Sequence, residues 1–234
     1  MRSIYMSIAV LAVGLSACQT LPQVPYDRAT AGNVKTIDVV TPAAPSRPNV
    51  VLASTVGQSF GLIGALVDAG MQNSRENDFE VEVRSQNFVG RDMFVRYVDE
   101  ALTANGYKAI NDNAPRPQRQ FLQAYAAPAG GVPDAYFDIV LDYGYYAAGM
   151  STPYRPYVFV DCKLVRSSDN ALLMQKSIFY NPLNKAPDQA VTIAPDSTYE
   201  FTDFDALKAN PEKAVKGLDS AMRQVASAMG TLLR

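Results

Sequence analysis

Histidine and tryptophan are absent from the 234 residues of the sequence, and cysteine occurs only twice, as Cys18 and Cys162. Without histidine the chain has no imidazole acid or base, no Ser-His or Cys-His nucleophile pair and no His-ligated zinc. Two cysteines are too few for a Cys-rich metal site. The composition therefore predicts neither a metal site nor a cofactor of these kinds.

Several motifs that mark common enzyme classes are absent as well. The sequence has no P-loop, no GxGxxG after a strand, no GxSxG and no CxxC. Its 21 basic and 23 acidic residues nearly balance, which argues against a nucleic-acid partner. With 48% hydrophobic and 19% charged residues, the composition is that of an ordinary globular domain and indicates no enzyme.

The first 18 residues, MRSIYMSIAVLAVGLSAC, have the three parts of a secretory signal. Arg2 supplies the positive charge, residues 4–15 form an apolar run, and small residues precede a cysteine. The apolar run is shorter than the roughly 20 helical residues that span a bilayer. We therefore predict that residues 1–17 are a cleaved signal peptide.

Leu15-Ser16-Ala17-Cys18 resembles the lipobox of bacterial lipoproteins. The resemblance implies that Cys18 becomes the first residue and carries diacylglycerol and an N-acyl chain such as palmitate. Two or three acyl chains would attach the protein durably to a lipid bilayer. In Gram-negative lipoproteins, Gln19 rather than Asp after the cysteine implies the outer membrane, with the domain facing the periplasm. The alternative is an ordinary signal peptide with an incidental cysteine.

Residues 18–33 hold two prolines and no apolar periodicity, which predicts a lipidated N-terminus followed by a tether. Residues 34–234 are then the folded domain. Strand patterns cover 34–40, 107–110, 136–146, 157–166 and 171–180, and helical patterns cover 56–74, 92–105 and the chain from Pro211 onward. Residues 79–84 alternate as a strand does but could also continue the first helix.

These elements predict a single α+β domain with helices packed on a mainly antiparallel sheet, whose last three strands form a meander. The order of elements resembles periplasmic lipoprotein domains of the curli-secretion lipoprotein and of the lipoprotein activator of penicillin-binding proteins. The segments that carry the resemblance are VKTIDVV, VDEALTANGYKAI, FDIVLDYGYY, VDCKLVRSSDNALLMQKSIFY and AMRQVASAMGTLL. It implies an envelope accessory and transfers no functional residue.

Two groups of residues are candidates for protein contacts. Tyr146, Tyr154 and Arg155 flank a predicted hairpin turn and could grip a partner, although tyrosines on strands are also often half-buried. Small residues recur every four positions in the first helical pattern, which favours close packing within the chain or self-association. They are Gly57, Gly61, Ala65 and Ala69.

Asp138 and Asp142 are candidates for a pair of catalytic carboxylates. On one strand they would lie about 13 Å apart, beyond the roughly 5–9.5 Å used by glycosidases. We therefore expect both, and Asp161, to be solvated, and Cys162 to be a buried, inert thiol. The leading hypothesis is a non-enzymatic lipoprotein that binds another envelope protein. The alternatives are a homo-oligomeric structural or pore-associated lipoprotein and a carboxylate-dependent hydrolase.

Overall fold

The longest strand-forming runs of the sequence lie between residues 135 and 180, and they form the centre of the sheet in the computed structural model of the chain. The structure describes residues 21–53, 69–112, 116, 118–183 and 185–234, and for residues 69–72 and 112 it describes only the backbone. The predicted signal peptide, Cys18 and most of the first helical pattern lie outside the described residues. No helix in the described ranges is long and apolar enough to cross a membrane.

The described chain contains five α-helices and seven strands. The helices are α1 (Arg28–Ala31), α2 (Ala69–Arg84), α3 (Gly90–Ala104), α4 (Phe204–Lys208) and α5 (Pro211–Leu232). The strands are β1 (Thr36–Val40), β2 (Asn49–Leu52), β3 (Lys108–Asp112), β4 (Ala135–Ala147), β5 (Arg155–Arg166), β6 (Leu172–Tyr180) and β7 (Val191–Ile193). The α+β class is confirmed.

One sheet contains all seven strands, in the order β3-β1-β4-β5-β6-β7, with β2 also paired to β4. The predicted meander is confirmed, because β4, β5 and β6 pair antiparallel in sequence order. The shorter pairings at both sides are parallel: β1 with β3, β1 and β2 with β4, and β6 with β7. The sheet is therefore mixed around an antiparallel centre.

Helices α3 and α5 cover one face of the sheet. Along β4, Phe137, Ile139 and Leu141 point to this face and are fully buried, as the two-residue period of a strand requires. α5 begins at a proline, which suits a first helical position. Its buried residues recur every three or four positions, which gives the helix one apolar side. They include Ala214, Leu218, Met222, Val225 and Met229.

Residues 79–84 are helical and form the end of α2. Phe79 and Val83, four residues apart, are buried, whereas Val81 between them is 68% exposed. The alternation in the sequence therefore comes from a helix with two apolar residues inside and one outside. Gln86 and Asn87 follow in a turn, where Asn87 has a φ of 54°, a conformation that asparagine tolerates better than most residues.

The second face of the sheet is covered by chain without regular structure. The backbone N–H of Leu122 and the hydroxyl of Tyr125 both donate to Asp138, at 2.8 and 2.9 Å. The ring of Tyr125 also stacks on Tyr136 at 4.8 Å between centroids. The loop around residues 118–125 therefore buries the part of this face around Asp138 and Tyr136. Leu183, Ala186 and Ala190 pack on another part of it, the cluster of Tyr157, Phe159 and Phe179.

The described part of the predicted tether, residues 21–33, is attached to the domain. Val24 exchanges two backbone hydrogen bonds with Gln175 of β6, at 2.7 and 2.9 Å. α1 follows, and its Ala31 is buried in the core. Residues 21–33 are therefore not the free tether that the sequence predicted. This segment is held to the sheet through backbone hydrogen bonds, and the pattern of apolar residues in a sequence gives no sign of such bonds.

Candidate functional site

Of the residues that the sequence predicted as protein contacts, Tyr146 and Arg155 lie opposite each other in the β4–β5 pairing, whereas Tyr154 is buried. The prediction that Tyr154 contacts a partner is corrected, because its side chain is only 4% exposed. Its ring packs near that of Phe204, with 6.4 Å between the ring centroids. Its backbone pairs with Phe201, which holds the ring inward. Arg155 forms an ion pair with Glu200, with 2.7 Å between Nε and Oε1. The ring of Tyr154 is therefore part of the core.

Tyr146, the third predicted contact, is half-buried beside a small cluster formed by Tyr157, Phe159 and Phe179. Its role and that of Arg155 stay predictions. Of the small-residue stripe, Gly57, Gly61 and Ala65 lie outside the described residues. Ala69 is the first residue of α2, without a described side chain.

The two candidate catalytic carboxylates are buried, which corrects the expectation that they are solvated. Asp138 is fully buried and forms an ion pair with Arg116, at 2.8 Å, whose side chain is 3% exposed. With Leu122 and Tyr125 also donating, the oxygens of Asp138 are occupied by structural partners. The loop that supplies these partners lacks periodicity, so the sequence pattern gave no sign of the burial.

Asp142 accepts a hydrogen bond from Nδ2 of Asn49 at 2.6 Å and forms an ion pair with Arg119 at 3.1 Å. Burial raises its pKa, and Arg119 opposes that effect. Asp161 is partly buried and accepts from Oγ of Ser177 at 2.6 Å, and burial raises its pKa too. These contacts give all three aspartates structural partners rather than an open site.

Cys162 is completely buried and free, as predicted. Burial raises the pKa of its thiol, which lowers its reactivity. Within the part of the chain that the structure describes, no group of three or more His, Cys, Asp or Glu residues could hold a metal ion.

A cleft of about 640 Å³ lies at the side of the sheet where β2 joins β4. It is bounded by the loop 44–48, the end of α2, the α2–α3 connection and the start of α3. Three arginines line it, Arg47, Arg84 and Arg91, and we name it the arginine cleft. Its volume is within the range of ligand-binding clefts.

The floor of the arginine cleft is apolar and rigidly packed. Val83, Phe88 and Tyr143 line it and are almost completely buried. The rings of Phe88 and Tyr143 meet edge to face, with centroids 6.2 Å apart. Burial, and secondarily Asp142, raises the pKa of Tyr143, so its hydroxyl stays neutral. The floor therefore offers an uncharged surface beneath a charged rim.

Gly90 allows α3 to begin directly against this floor. A Cβ atom at Gly90 would lie 2.6 to 2.7 Å from Cζ, Cε2 and the hydroxyl oxygen of Tyr143, closer than real Cβ contacts allow. The absence of a side chain lets the α2–α3 connection reach the sheet. This contact fixes the position of Arg91, the next residue, at the edge of the cleft.

On the rim, Arg47 is held in place by two carboxylates of α2. Its guanidinium lies 3.2 Å from Glu76 and 3.6 Å from Glu80, and it also donates to Asn73 at 2.6 Å. Because the side chain of Arg47 is only 22% exposed and already paired, we regard it as the fixed wall of the cleft. It joins the loop 44–48 to α2.

Arg84 and Arg91 are the accessible cations of the rim. Arg84 pairs with Glu80 at 2.7 Å yet stays 74% exposed, and Arg91 pairs with Asp92 at 3.4 Å and stays 51% exposed. Glu80 is the single acidic residue among the lining residues, and it is shared by Arg84 and Arg47. Glu76 and Asp92 pair with Arg47 and Arg91 from just outside the lining, so the rim as a whole balances three arginines with three carboxylates. Arg84 and Arg91 are the two of these arginines whose side chains are more than half exposed.

None of the residues that line the arginine cleft was predicted from the sequence to have a function. The arginine cleft brings together the segment 44–48, the segment 80–91 and Tyr143, which are far apart in the chain. A periodic pattern cannot reveal such an arrangement. The nearest signal was the pair Pro45 and Pro48 around Ser46-Arg47, which indicated a loop without saying where it would lie.

Comparisons with known proteins found similar solved structures, whereas no family model and no curated protein matches the chain. Protein XCC0632 of Xanthomonas campestris, from family DUF330, is 17% identical, with 91% of this chain and 87% of that chain covered and a TM-score of 0.41. A PelC dodecamer from Paraburkholderia phytofirmans is 11% identical, with 92% and 99% covered and a TM-score of 0.38.

A third similar structure is a neuraminyllactose-binding hemagglutinin homolog from Helicobacter pylori. It is 9% identical, with 86% of this chain and 84% of that chain covered and a TM-score of 0.34. At these scores the likenesses transfer neither a site nor an activity to this chain.

Proposed function

We propose that this chain is a lipoprotein anchored in the outer membrane through Cys18, and that its domain is a non-enzymatic accessory. Its partner is another envelope protein, bound at the arginine cleft. The lipobox-like residues 15–18 support the anchor. The observation that carries the binding role is the cleft itself, which combines an apolar floor with two exposed arginines.

The chemistry of the cleft favours an acidic segment of a protein that also carries an apolar side chain. Guanidinium groups bind carboxylates through paired hydrogen bonds, and Arg84 and Arg91 both have donors open to solvent. An apolar side chain would be buried against Phe88 and Val89, the latter 52% exposed at the rim. Apolar anchors with a charged surround are typical of protein recognition sites.

Affinity purification of the lipidated protein from cross-linked envelopes tests this function. We expect a reproducible, stoichiometric partner with the native chain and at least a tenfold lower recovery with Arg84→Gln combined with Arg91→Gln. The matched control is Lys35→Gln with Arg223→Gln, which removes two exposed charges away from the cleft. Recovery with this control should equal that of the native chain.

Two other results would contradict the proposal. Equal recovery with the cleft variant and the control would mean that the partner binds elsewhere. A large homo-oligomer that elutes without another protein would instead support the alternative of a self-associating structural or pore-associated lipoprotein. Size analysis of the eluted material separates these results.

A further inference from the structure

We propose that the domain lies against its membrane through the β6–β7 side of the sheet, at residues 21–23 and 185–189, so that the arginine cleft opens away from the lipid. The occupant of this surface is the lipid bilayer that holds the acyl chains. The inference rests on the proposed lipidation of Cys18 and adds to it a defined orientation of the domain.

The chain is fixed to the sheet only a few residues after Cys18. The side-chain amide of Gln23 donates to Oγ of Ser177 at 3.0 Å, and its carbonyl oxygen accepts from the backbone N–H of Ser177 at 2.9 Å. Nε2 of Gln175 donates to the carbonyl oxygen of Pro22 at 3.1 Å. With the two backbone bonds between Val24 and Gln175, five hydrogen bonds hold the segment on β6.

Chain length then limits how far this surface can be from the lipid. Three residue steps separate Cys18 from Leu21, and a fully extended chain covers about 11 Å over that distance. The acyl chains on Cys18 enter the bilayer, so Leu21 must stay close to the headgroups. A free tether over residues 18–33 would let the domain take every orientation relative to the bilayer. Because the chain is attached to the sheet from Leu21 onward, only a few orientations of the domain remain.

The surface around Leu21 is compatible with lipid headgroups. It forms a shallow depression with residues 21–23 on one side and 185–189 on the other. Lys185 and Asp188 extend from it, with side chains 91% and 93% exposed and their charges 3.9 Å apart. The one basic and one acidic group offset each other, so this surface has no net charge that anionic lipids would repel.

The arginine cleft lies at the other side of the same sheet. Four strand spacings separate β2 from β7, through β4, β5 and β6. At about 4.8 Å each, they amount to about 19 Å. α2, which contacts β2 and carries Arg84, lies on this far side. A membrane at β6–β7 therefore leaves the cleft accessible to a periplasmic partner.

Fluorescence quenching on vesicles tests the orientation. The full, lipidated chain is labelled through a single introduced thiol, either Asp188→Cys near the proposed membrane surface or Val81→Cys on α2. Native Cys162 is completely buried and does not compete for the label. In phosphatidylethanolamine and phosphatidylglycerol vesicles with headgroup spin labels, we expect at least threefold stronger quenching at position 188 than at position 81. Equal quenching, or stronger quenching at position 81, would overturn the orientation.

Two further measurements separate the orientation from the anchor on which it rests. Mass spectrometry of the purified chain reports the lipid on Cys18, and its absence would refute both the anchor and the orientation. With the lipid present, Val24→Pro removes the N–H that bonds to Gln175 and should reduce the difference between positions 188 and 81 to less than half. An undiminished difference in that variant would show that the attached segment does not set the orientation.

Discussion

At the scale of single residues, two aspartates on the loop-covered face of the sheet show how burial is compensated. Asp138 is fully buried but has Arg116 as its counterion, so removing either partner would leave a buried charge unpaired. Asp161 is partly buried, and the hydrogen bond from Ser177 opposes the rise of its pKa. The raised pKa of Asp161 makes the stability of the domain dependent on pH.

Replacement of Asp161 by asparagine should change that dependence in a definite direction. Burial raises the pKa of Asp161 in the folded chain above the unfolded value of about 3.9. Its contribution to stability is therefore present at low pH and is lost as the pH rises through the folded pKa. We expect Asp161→Asn to gain stability relative to the native chain between about pH 3 and 7, as measured by urea unfolding.

Asp169→Asn is the matched control with the opposite sign. The backbone N–H of Ala171 lowers the pKa of Asp169, so its contribution is lost as the pH falls. Relative to the native chain, this variant should lose stability as the pH rises over the same range. If the stabilities of the two variants, each relative to the native chain, changed with pH in the same direction, the opposite pKa shifts of Asp161 and Asp169 would be contradicted.

The residue scale is also where prediction from sequence was least complete. Burial of Cys162 followed from its place between Val160 and Leu164 on a strand. The burial of Asp138 did not, because it depends on a loop that lies more than ten residues away and has no periodic pattern. The pairing of Asp142 with Arg119 has the same origin. Strand alternation shows which face a residue is on, but not what covers that face.

At the scale of elements, the contact between the start of α3 and β4 should be sensitive to a single methyl group. Gly90→Ala places a Cβ atom 2.6 to 2.7 Å from the ring of Tyr143. Because both partners are buried, relief requires a shift of α3 or of the ring. We expect the unfolding free energy to fall by about 1–3 kcal/mol, the usual cost of overpacking, as measured by urea unfolding.

Gly149→Ala is the control for the Gly90 substitution. Gly149 lies in the turn between β4 and β5, and a Cβ atom there would meet nothing within 4 Å. Its substitution should change the unfolding free energy by less than about 0.5 kcal/mol. If the two alanine variants were equally stable, the close contact between Gly90 at the start of α3 and the ring of Tyr143 would be contradicted.

The elements with long patterns and the five-residue strands β1 and β3 were predicted from the sequence, whereas the shorter strands β2 and β7 were not. α3 and α5 each bury one side, which gives a strong helical period, and β4, β5 and β6 are long strand-forming runs that are buried on both faces. β2 and β7 have four and three residues, too few for a period to stand out. The parallel pairing of β1 and β2 with β4 depends on contacts between distant segments, which no local pattern encodes.

At the scale of the whole molecule, the N-terminal segment connects opposite parts of the domain. It pairs with β6 through Val24, and the hydroxyls of Tyr26 and Tyr107 lie 3.3 Å apart. Tyr107 in turn donates to the carbonyl oxygen of Leu233, next to the end of α5. A segment predicted as a tether therefore joins the edge of the sheet to the two main helices.

Removal of this segment should therefore destabilise the whole domain. We compare three chains without lipid, beginning at residues 18, 21 and 34, by urea unfolding. The chain from residue 34 lacks the bonds to β6 and the buried Ala31. At about 0.5–1.5 kcal/mol for each of the five hydrogen bonds to β6, its unfolding free energy should be about 2.5–7.5 kcal/mol lower.

The chain from residue 21 provides the control, because it retains every contact described for the segment. It should unfold at the same urea concentration as the chain from residue 18, and with the same dependence on urea. If the chain from residue 34 were as stable as the other two chains, residues 21–33 would contribute nothing to the free energy of unfolding. The domain would then be free to rotate on its anchor, and the membrane would no longer determine which way the arginine cleft faces.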